Sequence, residues 1–355
     1  MVKVEEIQEI NELLKDRPEL KGGQLYTRNV EFIRTVLNMS EWNDPKFKGL
    51  LTANIWRTNI ENIRKILSMP EWNDPRFQGL LTPNIWNSRP KTIEIILVMR
   101  EWDDPKFQGL LTSNIWNKTA KDVKEILDMP EWNDPKFQGL LTSTIWHSSV
   151  FEVKQILNLP QWNDPRFCLL LTPSIWNSNS ENIKEILGMS EWDNPKFRVL
   201  LTGNIWKSNA ANVKKILSMS EWNDPRLQGL LTSNIWKSNY QDIKRILNIP
   251  QLREDNYSHL LSPSIFNVSI ANIIPSIELF EEYGIGKYIT GRCLRRNVEL
   301  QRSLLEFLTR NDIDLIVEKN DGTYTLNPII NASNADLKKK YGIDIKSLNR
   351  MNTKK

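Results

Sequence analysis

Histidine and cysteine are almost missing: the 355 residues hold two of each. Cys168 and Cys293 lie far apart without CxxC spacing, so neither a disulfide framework nor a cysteine zinc site is expected, and a reducing, cytoplasmic or similar intracellular compartment is. His147 and His259 are equally isolated. A nucleophile elbow and a zinc motif are absent, and Gly284-Ile-Gly286-Lys287 lacks the spacing of a phosphate-cradling loop. No apolar run is long enough to span a membrane. The opening "MVKVEEIQEINELLKD" carries acids every few positions, unlike a secretion signal. A large excess of one charge is missing as well. Lys and Arg total 47 against 43 Asp and Glu, a net of +4, which does not by itself demand nucleic acid or an anionic membrane. These absences lead to the expectation of no catalysis, no cofactor, no metal, no membrane partner and no secretion.

What is present is repetition. Units open on a leucine pair at Leu50, Leu80, Leu110, Leu140, Leu170, Leu200 and Leu230, a period of 30 without insertion or deletion. Diverged copies begin at Leu20 and Leu260, as end layers that must face water require. The copy from Leu170 shows the local logic. In "LTPSIW", Thr172 is expected to cap a helix whose first residue is Pro173. "SENIKEILGM" places Ile183, Ile186 and Leu187 on one helical face. "DNPKFRVLL" offers Asn194 as a cap before Pro195. Each unit therefore reads as three short helices, or two and a tight third turn, and the expected fold is all-α: an α-solenoid of 30-residue repeats with a small C-terminal α+β cap.

All 14 tryptophans fall on two registers, one through Trp56, Trp86 and Trp116, the other through Trp42, Trp72 and Trp102. They suit either a stacking ladder for bases or sugars, or the apolar contact between layers; the second is expected, because stacked repeats need it in every layer. The recurrent "EWNDP" is read as helix capping, since identical catalytic acid pairs in successive layers make no chemical sense.

The copies disagree mainly between their first and second helices: "RTNIE" (57–61), "NSRPK" (87–91), "NKTAK" (117–121), "HSSVF" (147–151), "NSNSE" (177–181), "KSNAA" (207–211) and "KSNYQ" (237–241). The first member is Arg57, Asn87, Asn117, His147, Asn177, Lys207 or Lys237, residue types that suit base edges and phosphates and equally suit an exposed turn. Two basic registers run alongside. One follows Lys46, Arg76, Lys106, Lys136, Arg166, Lys196 and Arg226. The other follows Arg34, Arg64, Lys124, Lys154, Lys184, Lys214 and Lys244, interrupted by Glu94. Helical layers about 8–10 Å apart would turn such a register into a stripe for phosphates. Against this, Glu41, Glu71, Glu101, Glu131, Glu191 and Glu221 form an acidic stripe, and residues 20–259 hold 30 basic and 26 acidic residues, as a solvated mixed-charge face would.

The "LLT[PS]" opening followed by "ENIKEIL" resembles mitochondrial transcription termination factor repeats, and "LLSPSIFNVSIANIIPSIELFEEYGI" at 260–285 is similar to that pattern. The "LTP" opening with a variable turn resembles transcription-activator-like effector repeats, in which that turn faces DNA bases; the resemblance points to Arg57 through Lys237. The unit here is shorter than the effector repeat, lacks its Gly-Gly and carries the "EWNDP" insert. The resemblance covers about residues 20–290 and implies nucleic-acid binding.

The expected organisation is an N-terminal capping helix (1–19), the array (20–289, diverged at 20–49 and 260–289) and a C-terminal cap (290–355). In the cap, "RNVELQRSLLEFLTRN" reads as an amphipathic helix, Asp321-Gly322 as a hairpin turn, "NADLKKKYGI" as a last helix and "NRMNTKK" as a frayed tail. "GRCLRRN" offers Arg292, Arg295 and Arg296 either to a phosphate or to solvent. A non-catalytic scaffold binding a macromolecule is expected, with nucleic acid narrowly preferred to a protein or peptide partner. A spacer that presents the C-terminal part is a third reading.

Overall fold

The copy from Leu80 shows how these letters become structure. Thr82 is extended and Pro83–Asn87 forms a 3-10 helix. Ser88 is extended again, and the α-helix Pro90–Leu97 follows. Met99 breaks the helix before the 3-10 segment Arg100–Asp103. Asp104 is held extended by the proline after it, and Pro105–Leu110 closes the unit as another 3-10 helix. A repeat thus has four helical segments, where three were expected, and only one is a full α-helix. The extended residues leave runs of four to six residues, too short to repay α-helical nucleation and suited to 3-10 geometry. In two copies the last segment is instead a single α-turn, Pro75–Gln78 and Pro135–Gln138.

In the computed structural model, residues 4–345 and 347 are described. They form two compact units, Met1–Lys184 and Glu185–Lys355, divided within the helix Ser180–Leu187. In each, the first 3-10 helices of neighbouring repeats pack on one another, and so do the α-helices. The fold is all-α, an α-solenoid. Among the described residues the only strands are Ile316–Glu318 and Tyr324–Leu326, paired antiparallel about the turn at Gly322, whose φ is 78°. The helices Val298–Arg310 and Asn334–Tyr341 flank this hairpin as expected. Of the expected tail, residues 349–355 lie outside the described residues.

Capping departs from expectation at one position. Asn194 accepts from the backbone N–H of Lys196 as its spacing indicates. Thr172 stands before its helix, yet its hydroxyl caps nothing; it shares a 2.8 Å hydrogen bond with Ser174. The reason is the 3-10 geometry. The amide of Ile175, which a side-chain cap would take in an α-helix, already donates to the Thr172 carbonyl. Where the residue two positions on is asparagine, the buried hydroxyl oxygens of Thr52, Thr82, Thr112, Thr202 and Thr232 have no partner among the described residues.

The two tryptophan registers do different work. In the first, the indole N–H donates to a leucine carbonyl of the preceding repeat, as Trp86 does to Leu50 at 2.7 Å, Trp116 to Leu80 at 2.8 Å and Trp236 to Leu200 at 2.8 Å. In the second, the indole closes the C-terminal end of its own α-helix, as Trp72 does on Ile66 and Trp102 on Ile96, both at 2.6 Å. Where Leu252 replaces this tryptophan, Arg253 supplies the donor to Leu247. Rings from the two registers meet edge to face, Trp72 on Trp116 and Trp192 on Trp236, at 6.5 Å between centroids. These rings are buried, so they form the contact between layers.

Two substitutions separate burial from hydrogen bonding at this contact. Trp116→Ala removes a buried ring and is expected to cost about 3–5 kcal/mol. Trp116→Phe keeps most of the area, and the Leu80 carbonyl retains the Thr82 N–H, so about 1 kcal/mol is expected. Urea unfolding of the two variants checks the order; equal losses would mean the hydrogen bond dominates.

Candidate macromolecule-binding surface

The variable turn is less free than its sequence suggests. Its second member ties the layer to the next: the hydroxyls of Ser88, Ser148 and Ser238 donate to the carbonyls of Trp116, Trp176 and Phe266 at 2.8, 3.2 and 2.9 Å. In the copy that carries Lys118, its ammonium reaches the Ser148 carbonyl at 2.8 Å, and burial lowers its pKa. The third member caps the α-helix. Asn59, Thr119, Ser149, Asn179, Asn209 and Asn239 each accept from the amide three residues on. Arg89 is the exception, standing before Pro90 without a side-chain cap.

The fourth member starts the α-helix and the fifth is exposed on it, and the first member is exposed ahead of the staple and cap. Arg57, Asn87, Asn117, His147 and Asn177 are all exposed in the first unit, and Lys207 and Lys237 in the second. Neighbours on this row come within reach of one another, since Arg57 donates to the Asn87 side chain at 3.1 Å. No acid occurs on the row. Beside Lys237 a groove of about 680 Å³ is lined by Asn239, Asp242, Arg245 and Asn267. Arg245 gave no signal in the sequence, because its register also holds Ile95, Glu125 and Gln155.

The basic residues of the α-helix are exposed too, but they open onto other grooves. Lys124 lines one with Ile95, Val98, Met99 and Glu101, and Lys214 lines another with Met189 and Glu191. The structure therefore does not bring the two expected registers into one site. Nor does the helical register form an uninterrupted cationic stripe. Lys124 pairs with Glu101 at 2.6 Å, Lys154 with Glu125 at 2.5 Å, and Arg34 with Glu9. Such exposed pairs add about 0–1 kcal/mol to stability, but they cancel local charge. Among the described residues Arg64, Lys184, Lys214 and Lys244 have no carboxylate partner.

The register from Lys46 to Arg226 is structural. Each cation follows a capping residue and, except where Asn194 replaces the acid, pairs with it: Lys106 with Asp104 at 3.1 Å, Arg76 with Asp74 at 2.8 Å. Lys106 also covers the Phe107 ring at 4.9 Å and reaches Asn133 of the next layer. The second histidine is likewise engaged, its Nε2 lying 2.7 Å from the Ile289 carbonyl oxygen. Among the described residues no group of three His, Cys, Asp or Glu side chains is placed to hold a metal, and no helix is long and apolar enough to cross a membrane.

No family model matches the chain, and neither a curated protein nor a solved structure does. The resemblance to the two repeat families rests on the quoted residues alone.

The capping acids give the array a pH dependence. The backbone N–H of Lys106, then its ammonium, holds Asp104 below the usual carboxylate range; Asp44 and Asp134 are lowered in the same way. Arg76 lowers Asp74 chiefly through its side chain. A depressed carboxyl contributes its stabilisation fully above its unfolded pKa of about 4 and loses it as pH falls through the folded value. Thermal midpoints should therefore drop below about pH 4. The double variant Asp104→Asn, Asp134→Asn should flatten that drop while changing little at pH 7, since Asn194 already serves as a cap.

Proposed function

We propose that the chain is a non-catalytic repeat scaffold that holds a nucleic-acid strand against the exposed first residues of its turns. One observation carries this reading. The second and third members of the turn staple and cap, while the first stays exposed in every layer as a hydrogen-bonding or cationic side chain, on a register without acids. Asn and Arg side chains suit base edges, and Lys207 and Lys237 suit phosphates. The unpaired Lys214 and Lys244 add positive charge within the second unit.

Binding of the full chain to single- and double-stranded DNA and RNA across a salt series tests the proposal. Affinity should fall steeply with salt, and Lys207→Glu with Lys237→Glu should reduce the logarithmic slope by about one to two. Absence of binding at low salt, or an unchanged slope, would overturn it.

A protein- or peptide-binding scaffold is the second reading, and a different observation favours it. Ile95 on the helix Pro90–Leu97 and Val98 at its C-cap are 41% and 61% exposed. Other copies place Lys65, Glu125 or Gln155, and Ser68, Asp128 or Asn158, at those registers, so the fold does not require apolar residues there. Phe151, 65% exposed, lies on the corresponding stripe of Val150–Leu157. Ile95→Lys with Val98→Ser should then cost less than about 0.5 kcal/mol. A loss above about 2 kcal/mol in thermal or urea unfolding would mark these residues as core and remove the ground for this reading.

A further inference from the structure

Several guanidinium groups meet a carboxylate. Arg76 and Arg226 pair with Asp74 and Asp224, and Arg302 and Arg310 with Glu282 and Glu306. Three neighbouring arginines do not. Arg292, Arg295 and Arg296 have no carboxylate partner among the described residues, and all three line one cleft of about 400 Å³. Arg292 and Arg295 are exposed. Arg296 is half-buried and fixed from behind, its Nη1 donating to the Ile330 carbonyl at 3.1 Å and its Nη2 to that of Ala332. Burial lowers its pKa, and no acid stands near enough to offset the cost.

The backbone adds charge of the same sign. The helix Val298–Arg310 starts at the cleft behind its cap Asn297, and Asn334–Tyr341 starts there behind Ser333. Both present the positive end of the helix dipole. Asp336 is the one acid lining the cleft. It is already engaged, accepting from the Ser333 hydroxyl at 2.7 Å and facing Lys340 at 3.5 Å.

We propose that this cleft binds a phosphate group, with Arg292 and Arg295 closing on its oxygens and Arg296 supplying a fixed charge beneath. Guanidinium forks match phosphate oxygens in pairs, which lysine cannot do. The ligand is a phosphate ester or inorganic phosphate, and the site is distinct from the row of turn residues.

The test uses the full chain at constant ionic strength. Inorganic phosphate is titrated against chloride by calorimetry, and a short single-stranded oligonucleotide is titrated with and without a 5′-phosphate. The double variant Arg292→Ala, Arg295→Ala is compared, its fold checked by circular dichroism; both side chains are exposed and without partners, so folding should be retained. Phosphate should bind saturably to the wild type and about tenfold more weakly to the variant. Arg292→Lys with Arg295→Lys should fall between them, keeping charge but losing the fork. If oligonucleotide binding weakens in parallel, the phosphate belongs to a nucleic-acid strand. If only inorganic phosphate binding weakens, it belongs to a free phosphate or small ester. A variant that binds both ligands as the wild type does, or a wild type that responds to neither, overturns the proposal.

Discussion

Within each unit the repeat depends on one contact, the indole N–H of a first-register tryptophan on a leucine carbonyl of the preceding layer. In Trp86, Trp116, Trp146 and Trp176 the donor and acceptor are 36 residues apart every time. A bulky ring buried between layers and held at its polar tip has little freedom to slide. One inserted residue would move the carbonyl out of reach and displace the ring. This accounts for a period of 30 kept without insertion, and for the alignment of every register into a row within each unit. At the C-terminal end Phe266 fills the ring position without an N–H.

Once the layers are locked, most polar residues have local work. Acids at the start of the last segment hold amides and the adjacent cations. Serines of the variable turn bind the next layer, and asparagines cap the α-helices. Composition shows a mixture of charges; the structure shows much of that mixture cancelling within a few ångströms. What is left over includes the exposed first residues of the turns within each unit, an apolar stripe around Ile95 and Val98, and three arginines without carboxylate partners among the described residues near the C-terminal hairpin.

The division between structural and free positions was partly legible. The copies themselves separate the buried tryptophans and the Asn194-type caps from the variable turn. They overstate the freedom of that turn, because Ser, Asn and Thr have the composition of a loop whether or not their side chains are engaged. Ser88 bonding to Trp116 and Asn59 capping its helix are contacts across a layer or a turn that no letter records. The ion pairs along the basic register of the α-helix are hidden from the sequence for a similar reason. Lys124 and Glu101 are 23 residues apart in sequence and pair only because successive layers stack.

The sequence by itself determined the all-α class, the 30-residue period, the buried face of each α-helix and the hairpin at Asp321-Gly322, because these follow from local propensity and from periodicity read along one chain. Tertiary structure decided the rest. It made three of the four segments 3-10 in most copies, assigned the two tryptophan registers different acceptors, and tied one cationic register to the capping acids while leaving the other exposed on the α-helices. It also brought two helix starts beside Arg292, Arg295 and Arg296. Each of these is a distance between groups remote in sequence, and such distances are fixed only when the layers pack.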